Sequence, residues 1–242
     1  MAEPRKRKGF GQLRPFFVQL PLLPRPQPLS QPPTPFPAPP KASASPPTTE
    51  SNVNPARVQW REASEVGVFK GACQVAHDKL GVAWSLNLSP RKIQDLMIVA
   101  ANGNDPRRSL YQEIDRQCGR ILGYTPPYAF GFDLDDNDRL HLHGAAVLRA
   151  ETGEHRKLFH KALATAGGKI SGKSGSTQVH SKCLYDGYGW GRYSSKTAPR
   201  VRKLLAVDRV TFVNHALKQM TRMAWEAALP PKKTRAKRKH IL

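Results

Sequence analysis

The residues best suited to chemistry in this chain are two histidines, a tyrosine and a lysine. His141 and His143 lie two positions apart in a run that alternates with leucine. Alternate residues of a strand face the same way, so we expect both imidazoles to face one metal ion. Tyr193 and Lys196 follow later in the chain, and residues three apart on a helix are neighbours, which predicts Lys196 beside the Tyr193 hydroxyl. Such a set is suited to cutting a phosphodiester through a covalent tyrosine link.

Asp133 is the candidate for a third metal ligand. Residues 128–134 and 140–148 flank a turn rich in Asp and Asn, which is typical of a hairpin. If Asp133 pairs with His141, its carboxylate leaves the sheet on the histidine face, and paired residues have Cβ atoms about 4.5–5.5 Å apart. Two imidazoles and a carboxylate with open positions suit Mg²⁺ or Mn²⁺ when substrate phosphate completes the shell. The structural alternative for Asp133 is an acid that merely flanks the turn.

Tyr193 is the candidate nucleophile. A tyrosine near a protein surface more often packs as an amphipathic side chain, and that alternative stays open. A phenol becomes a competent nucleophile when a metal polarises the phosphate and a cation lies nearby, and Lys196 would supply the cation. Tyr185 and Tyr188 are close in sequence, but neither has a lysine three residues later.

A glycine-rich segment at residues 167–174 matches the phosphate-loop pattern G-x-x-x-x-G-K-S. That loop requires a strand before it and a helix after it, so that the helix N-terminus meets the phosphates. Here a helix is expected before the segment and a strand after it. We therefore expect no nucleotide cofactor and interpret Lys169 and Lys173 as parts of a flexible basic loop that contacts DNA. A nucleotide hydrolase is the alternative, which ATP turnover would reveal.

The composition favours a nucleic-acid partner. The net charge is +21 over 242 residues, and each neutralised phosphate releases counterions. A ribosomal-type protein or a protein of anionic membrane surfaces are the alternatives. Three cysteines lie far apart, which indicates neither a zinc ribbon nor a disulfide framework and favours a cytoplasmic location. No run approaches the ~20 apolar residues of a membrane helix, so no membrane partner is expected.

The two ends of the chain differ in composition from the middle. Residues 1–50 hold fourteen of the 22 prolines, so we predict a disordered Pro-rich basic tail over 1–55. Residues 56–229 are the predicted folded domain, and 230–242 a disordered basic tail. Besides the loop lysines, the candidate DNA-binding residues are Arg192, Lys232, Lys233, Arg235, Lys237, Arg238 and Lys239.

Hydrophobic periodicity and capping signals place the elements between the tails. Strands are predicted at 82–88, 128–134, 140–148 and 177–184. Helices are predicted at 90–102, 105–123, 153–166, 188–196 and 208–228. This order predicts the α+β class, with a ferredoxin/RRM-like antiparallel sheet and helices on one side.

Three segments in this order resemble the HUH endonucleases, specifically the rolling-circle replication initiators. They are Ala83-Trp84-Ser85-Leu86-Asn87-Leu88, Leu140-His141-Leu142-His143-Gly144 and Arg192-Tyr193-Ser194-Ser195-Lys196. The resemblance covers roughly residues 80–200 and implies metal-dependent nicking and joining of single-stranded origin DNA in a plasmid or phage. It also implies a 5′-phosphotyrosine at Tyr193, an acidic third ligand at Asp133 and a host helicase as partner. An HUH transposase and a non-catalytic, sequence-specific DNA-binding protein are the alternatives.

Overall fold

A five-stranded antiparallel sheet forms the centre of the protein. The computed structural model describes residues 58–150, 152–170 and 178–229. The strands are β1 (Val82–Asn87), β2 (Tyr128–Leu134), β3 (Leu140–Ala146), β4 (Val179–Cys183) and β5 (Thr211–Val213). They lie in the order β4-β1-β3-β2-β5, and every neighbouring pair is antiparallel.

Helices precede, follow or connect most of these strands. They are α1 (Glu65–Asp78), α2 (Pro90–Ala101), α3 (Pro106–Leu122), α4 (Gly153–Ala166), α5 (Gly187–Tyr193), α6 (Ala198–Leu205) and α7 (His215–Ala227). Side-chain oxygens of Ser64, Ser89, Thr152 and Asn214 accept hydrogen bonds from the first turns of α1, α2, α4 and α7, which satisfies free N–H groups there. None of the helices within the described ranges is long and apolar enough to cross a bilayer.

One face of the sheet, here called the core face, carries large apolar side chains. Trp84, Phe130 and Leu142 are fully buried at alternate positions of their strands. They belong to one apolar cluster with side chains of α2, α3, α4 and α6. Because burial of apolar surface is the main favourable term in folding, this face supplies most of the stabilisation.

The opposite face, here called the site face, carries small and polar side chains. Ala83, Ala129 and Ala145 form a second buried cluster with α1 and α7, through residues that include Phe69 and Leu217. The small side chains let these helices lie close to the strands.

The predicted α+β class with an antiparallel sheet is confirmed, and helices occur on both faces rather than on one side only. Helices α1 and α6 were not predicted. The helix predicted at 208–228 is wrong at its start, because β5 precedes the Asn214 cap and α7 begins at His215. The predicted tails, 1–55 and 230–242, lie wholly outside the described residues.

Strand β5 lies at one edge of the sheet, and part of that edge is capped. The Thr211 N–H and hydroxyl both donate hydrogen bonds to Glu65 Oε1. The Thr211 carbonyl accepts a hydrogen bond of 2.8 Å from Arg107. The Arg107 and Glu65 side chains are themselves 3.6 Å apart. The Glu65–Arg107 ion pair thus forms hydrogen bonds with both outward-facing backbone groups of Thr211.

Candidate metal centre and its tyrosine

The β2–β3 hairpin brings the three predicted metal ligands together. Asp133 pairs directly with His141 in the register of the two strands, as predicted. Asp133 Oδ2 lies 3.3 Å from His143 Nε2 and 3.7 Å from His141 Nε2. The two Nε2 atoms are 3.0 Å apart. Asp133, His141 and His143 therefore form a largely buried group that could hold a metal ion.

The outer ring nitrogens of both histidines have polar partners, which is compatible with their inner Nε2 atoms binding a cation. His141 Nδ1 lies 3.3 Å from the Arg139 carbonyl, so a proton on Nδ1 leaves the Nε2 lone pair facing inward. His143 Nδ1 lies 2.7 Å from Ser85 Oγ. Metal-binding histidines are commonly oriented in this way by a partner on the other ring nitrogen. Two facing imidazole nitrogens repel each other unless a proton or a cation lies between them.

The Asp133 carboxylate gives the strongest indication that a cation fits. The side chain is fully buried, and its Oδ2 atom makes no hydrogen bond of good geometry. Burial acts to raise the pKa of Asp133, but the contacts with His143 and Thr197 and the Leu134 amide outweigh it and lower that pKa. A buried, ionised oxygen without a donor is costly, and a metal ion would satisfy it.

The surroundings of His141 favour its neutral form. Burial lowers the pKa of His141, and the nearby His143 lowers it further. Only a neutral imidazole can bind a metal, so this shift favours metal binding over protonation near neutral pH.

Helix α5 carries Tyr193, and two of its glycines let it lie close to α1. A Cβ atom at Gly187 would lie 2.5 Å from the Cys73 carbonyl oxygen, and one at Gly191 would lie 2.9 Å from Lys70 Cα. Both glycines therefore allow α5 to contact the backbone of α1. The start of α5 is capped by Asp186, which accepts a hydrogen bond from Gly189 N.

This packing places Tyr193 next to the histidines. The Tyr193 ring centroid lies 5.2 Å from that of His143, and 46% of the residue is exposed. Trp190 stacks on Tyr193 at 5.6 Å and lies 5.2 Å from His143. The Trp190 indole N–H donates a 2.9 Å hydrogen bond to the Gly144 carbonyl, which holds the indole on the sheet.

Lys196 is a neighbour of Tyr193, but in a different geometry from the predicted one. Helix α5 ends at Tyr193, and Lys196 lies in the following turn, where its N–H donates to the Tyr193 carbonyl. The Lys196 ammonium lies 4.1 Å from the centre of the Tyr193 ring. The cation thus covers the ring face, whereas the prediction placed it beside the hydroxyl.

Two of the remaining candidate DNA-binding residues are described by the structure, and the others lie outside the described ranges. Lys169 is exposed just after α4, and Arg192 is exposed on α5. The glycine-rich segment follows helix α4, so it lacks the preceding strand of a phosphate loop. Outside the described residues lie Lys173, Lys232, Lys233, Arg235, Lys237, Arg238 and Lys239.

Three residues of this site were not assigned a role from the sequence: Ser85, Trp190 and Thr197. A signal existed for Ser85, because it alternates with Trp84 and Leu86 and so lies on the face opposite theirs. Trp190 and Thr197 come near the metal ligands only through tertiary packing. No periodic pattern marks either of them.

Comparisons of this chain with protein-family models, with curated proteins and with solved structures find no match. Its function therefore has to be inferred from the chemistry of the site.

Proposed function

We propose that this chain is a metal-dependent endonuclease and strand transferase that nicks and rejoins single-stranded DNA through Tyr193. The observation that carries the proposal is the 5.2 Å separation of the Tyr193 and His143 rings. A half-exposed nucleophile thus lies beside a buried group suited to a metal ion. The resemblance of three sequence segments to the rolling-circle initiators supports the same chemistry.

Asp133, His141 and His143 would hold Mg²⁺ or Mn²⁺. Three protein ligands leave positions for oxygens of a phosphate, which these two ions prefer. A bound ion would polarise the scissile phosphate and offset its charge. The protein's own part is to favour the neutral form of His141 and the ionised form of Asp133, because the pKa of each group is lowered by its surroundings.

In the nicking step, Tyr193 Oη would form a bond to the phosphorus of the scissile phosphodiester. The bond between phosphorus and the 3′ oxygen would break. The phenol proton would pass to water at the exposed side of the ring, and the leaving 3′ oxygen would take a proton from water. One diester replaces another, so attack by a 3′ hydroxyl can reverse the step, rejoin the strand and release Tyr193.

The residues around Tyr193 would orient its ring and offset negative charge near it. Trp190 would restrict the ring, because it stacks on Tyr193 and is fixed by its own hydrogen bond to Gly144. Lys196 would offset negative charge that gathers near the tyrosine and the phosphate, an electrostatic role that is often a large part of catalysis. Trp190 is a positioning residue in this scheme.

The biological setting proposed here follows from the charge and from the resemblance. A net charge of +21 suits a polyanionic partner. The partner would be origin DNA of a plasmid or phage replicon in the cytoplasm, exposed as a single strand with the help of a host helicase. The free 3′ hydroxyl left by nicking would then prime synthesis.

The test is a search for a covalent adduct on the full-length protein. The protein is incubated with Mn²⁺ and a random pool of single-stranded oligonucleotides, labelled at either the 3′ or the 5′ end. We expect the 3′-labelled fragments to become linked to protein under denaturing conditions. The 5′-labelled fragments should be released with a 3′ end that a polymerase extends. Chelation of the metal should prevent both.

The other outcomes separate the rival functions. Metal-dependent cleavage without an adduct would point to a metal-activated water and overturn the tyrosine mechanism. Binding without cleavage would indicate a non-catalytic DNA-binding protein. Adducts formed only on paired hairpin ends would indicate a transposase.

A further inference from the structure

We infer that Thr197 is a positioning residue that ties the tyrosine-bearing turn to the candidate metal centre. The inference rests on the proposed function for the role of that centre. Within the described part of the chain, the Thr197 side chain makes no hydrogen bond to the tyrosine or the histidines, but it donates one to the carboxylate ligand.

The Thr197 hydroxyl fixes one oxygen of the Asp133 carboxylate. Thr197 is 9% exposed, and its Oγ1 donates a short hydrogen bond to Asp133 Oδ1. The Leu134 N–H donates both to Asp133 Oδ1, at 2.9 Å, and to Thr197 Oγ1, at 3.1 Å. Because Oδ1 is held by two donors, the other oxygen, Oδ2, is left facing the histidines.

Thr197 makes this contact in place of the one that its position in the chain would favour. It is the N-cap residue of α6, but its side chain makes no capping hydrogen bond. A threonine at an N-cap ordinarily accepts a bond from the first turn of its helix. The hydroxyl is turned toward Asp133 instead, which indicates that the carboxylate is its functional partner.

The same turn is held on strand β2 at a second point. The backbone oxygen of Ser194 would lie 3.0 Å from a Cβ atom at Gly131, so the turn contacts the strand closely there. Gly131 and Asp133 are two apart and face the same side of the sheet. Residues 194–197 are therefore attached to β2 next to the metal ligand and directly after Tyr193.

It follows that the position of Tyr193 and the orientation of Asp133 are linked. A metal ion that fixes Asp133 Oδ2 should also restrain Thr197 and the turn before it. Conversely, loss of the Thr197 hydroxyl should let the carboxylate rotate and weaken metal binding. Residues that orient a metal ligand typically change metal affinity by about 10–100-fold when they are substituted.

The test measures Mn²⁺ binding to the full chain by calorimetry. Thr197→Val keeps the shape and removes the hydroxyl, and we expect its affinity for Mn²⁺ to fall by about 10–100-fold. Thr197→Ser keeps the hydroxyl and should bind nearly as well as the wild type. Ser195→Ala is the matched control, because its hydroxyl donates to Gly191 and Arg192 carbonyls in the same turn and does not contact Asp133. It should bind Mn²⁺ normally.

Hydrogen exchange gives a second measurement that does not depend on activity. Mn²⁺ should slow exchange of the amides of residues 194–198 in the wild type and in Ser195→Ala. The slowing should be lost in Thr197→Val. If Thr197→Val does not fold, the wild type alone still tests the inference. Exchange at residues 194–198 that Mn²⁺ does not slow would contradict a link between this turn and the metal centre.

The Mn²⁺ measurements distinguish a failure of the proposed function from a failure of the role of Thr197. A wild-type protein that binds no Mn²⁺ would overturn the metal centre and with it the proposed function. A wild type that binds Mn²⁺, with Thr197→Val equal to it in affinity and protection, would overturn the role of Thr197 alone.

Discussion

On the core face of the sheet, Trp84 and Leu142 are fully buried beneath helices, while one residue further along the same strands Ser85 and His143 lie on the site face. The two faces use the same backbone for different purposes. Large apolar side chains stabilise the core face. The site face has a buried carboxylate oxygen without a good donor, which reduces stability and favours cation binding. Neighbouring residues of one strand thus face either the apolar core or the candidate metal centre.

The largest effect on activity is expected from Tyr193→Phe on the site face. This change removes one oxygen and keeps the ring that stacks on Trp190, so the free energy of unfolding should change little. Adduct formation and cleavage should both vanish, because no other group is proposed to bond to phosphorus. The measurements are adduct yield on a denaturing gel and the urea midpoint of unfolding.

Tyr188→Phe is the matched control for this change. Tyr188 lies on the same helix, is 49% exposed, and has Lys70 over its ring at 5.6 Å. It should remain fully active. An adduct mapped to Tyr188, with Tyr193→Phe still competent, would contradict the assignment of the nucleophile.

Phe130→Ala on the core face should have the opposite pattern. Phe130 is fully buried and contacts Phe132 and Phe212. Truncation of a buried phenylalanine typically lowers the free energy of unfolding by about 3–5 kcal/mol. The remaining folded protein should still bind Mn²⁺ with wild-type affinity at low temperature. A large loss of Mn²⁺ affinity in Phe130→Ala under conditions where it is fully folded would show that the two faces are not independent.

The smallest effect is expected from pH on the metal-free protein. The pKa of His141 is lowered by burial and by His143. As the pH falls through the ordinary histidine value of about 6.5, the unfolded chain binds a proton that the folded protein does not. The free energy of unfolding should therefore fall as the pH is lowered from neutral toward 5. Urea unfolding at several pH values measures this loss.

His160 allows the two faces to be compared in this experiment. Its pKa is also lowered, by burial and by the nearby Arg156 and His180, but it lies on α4 and contacts Ser181 at 2.7 Å. His141→Gln and His160→Gln should each reduce the sensitivity to acid. Only His141→Gln should lose Mn²⁺ binding. Equal loss of Mn²⁺ binding in both variants would contradict the location of the metal centre.

The hairpin was predictable from the sequence because its information is local. Turn residues and alternation fix the register of two adjacent strands, and a slip by one residue would move every side chain to the other face. The pairing of Asp133 with His141 follows from this constraint. The convergence of the three metal ligands could therefore be predicted without the rest of the fold.

The elements that were missed depend on distant contacts. Helix α1 contains Gly67 and Gly71, which weaken helix propensity, and it is stabilised by packing on the site face. Strand β5 has three residues and exists because β2 pairs with it. The contact of Thr197 with Asp133 joins residues 64 positions apart. Such a contact leaves no periodic signal in the sequence.

The capped edge at β5 has a consequence for behaviour in concentrated solution. A free strand edge can recruit a strand of another molecule and so begin aggregation. At Thr211 the outward N–H and carbonyl are already bonded to Glu65 and Arg107, so neither group is available to a neighbouring chain. The side chains of this ion pair are only 15% and 20% exposed, and salt screens partly buried charges much less than exposed ones. Protection of this edge against aggregation should therefore persist at high ionic strength.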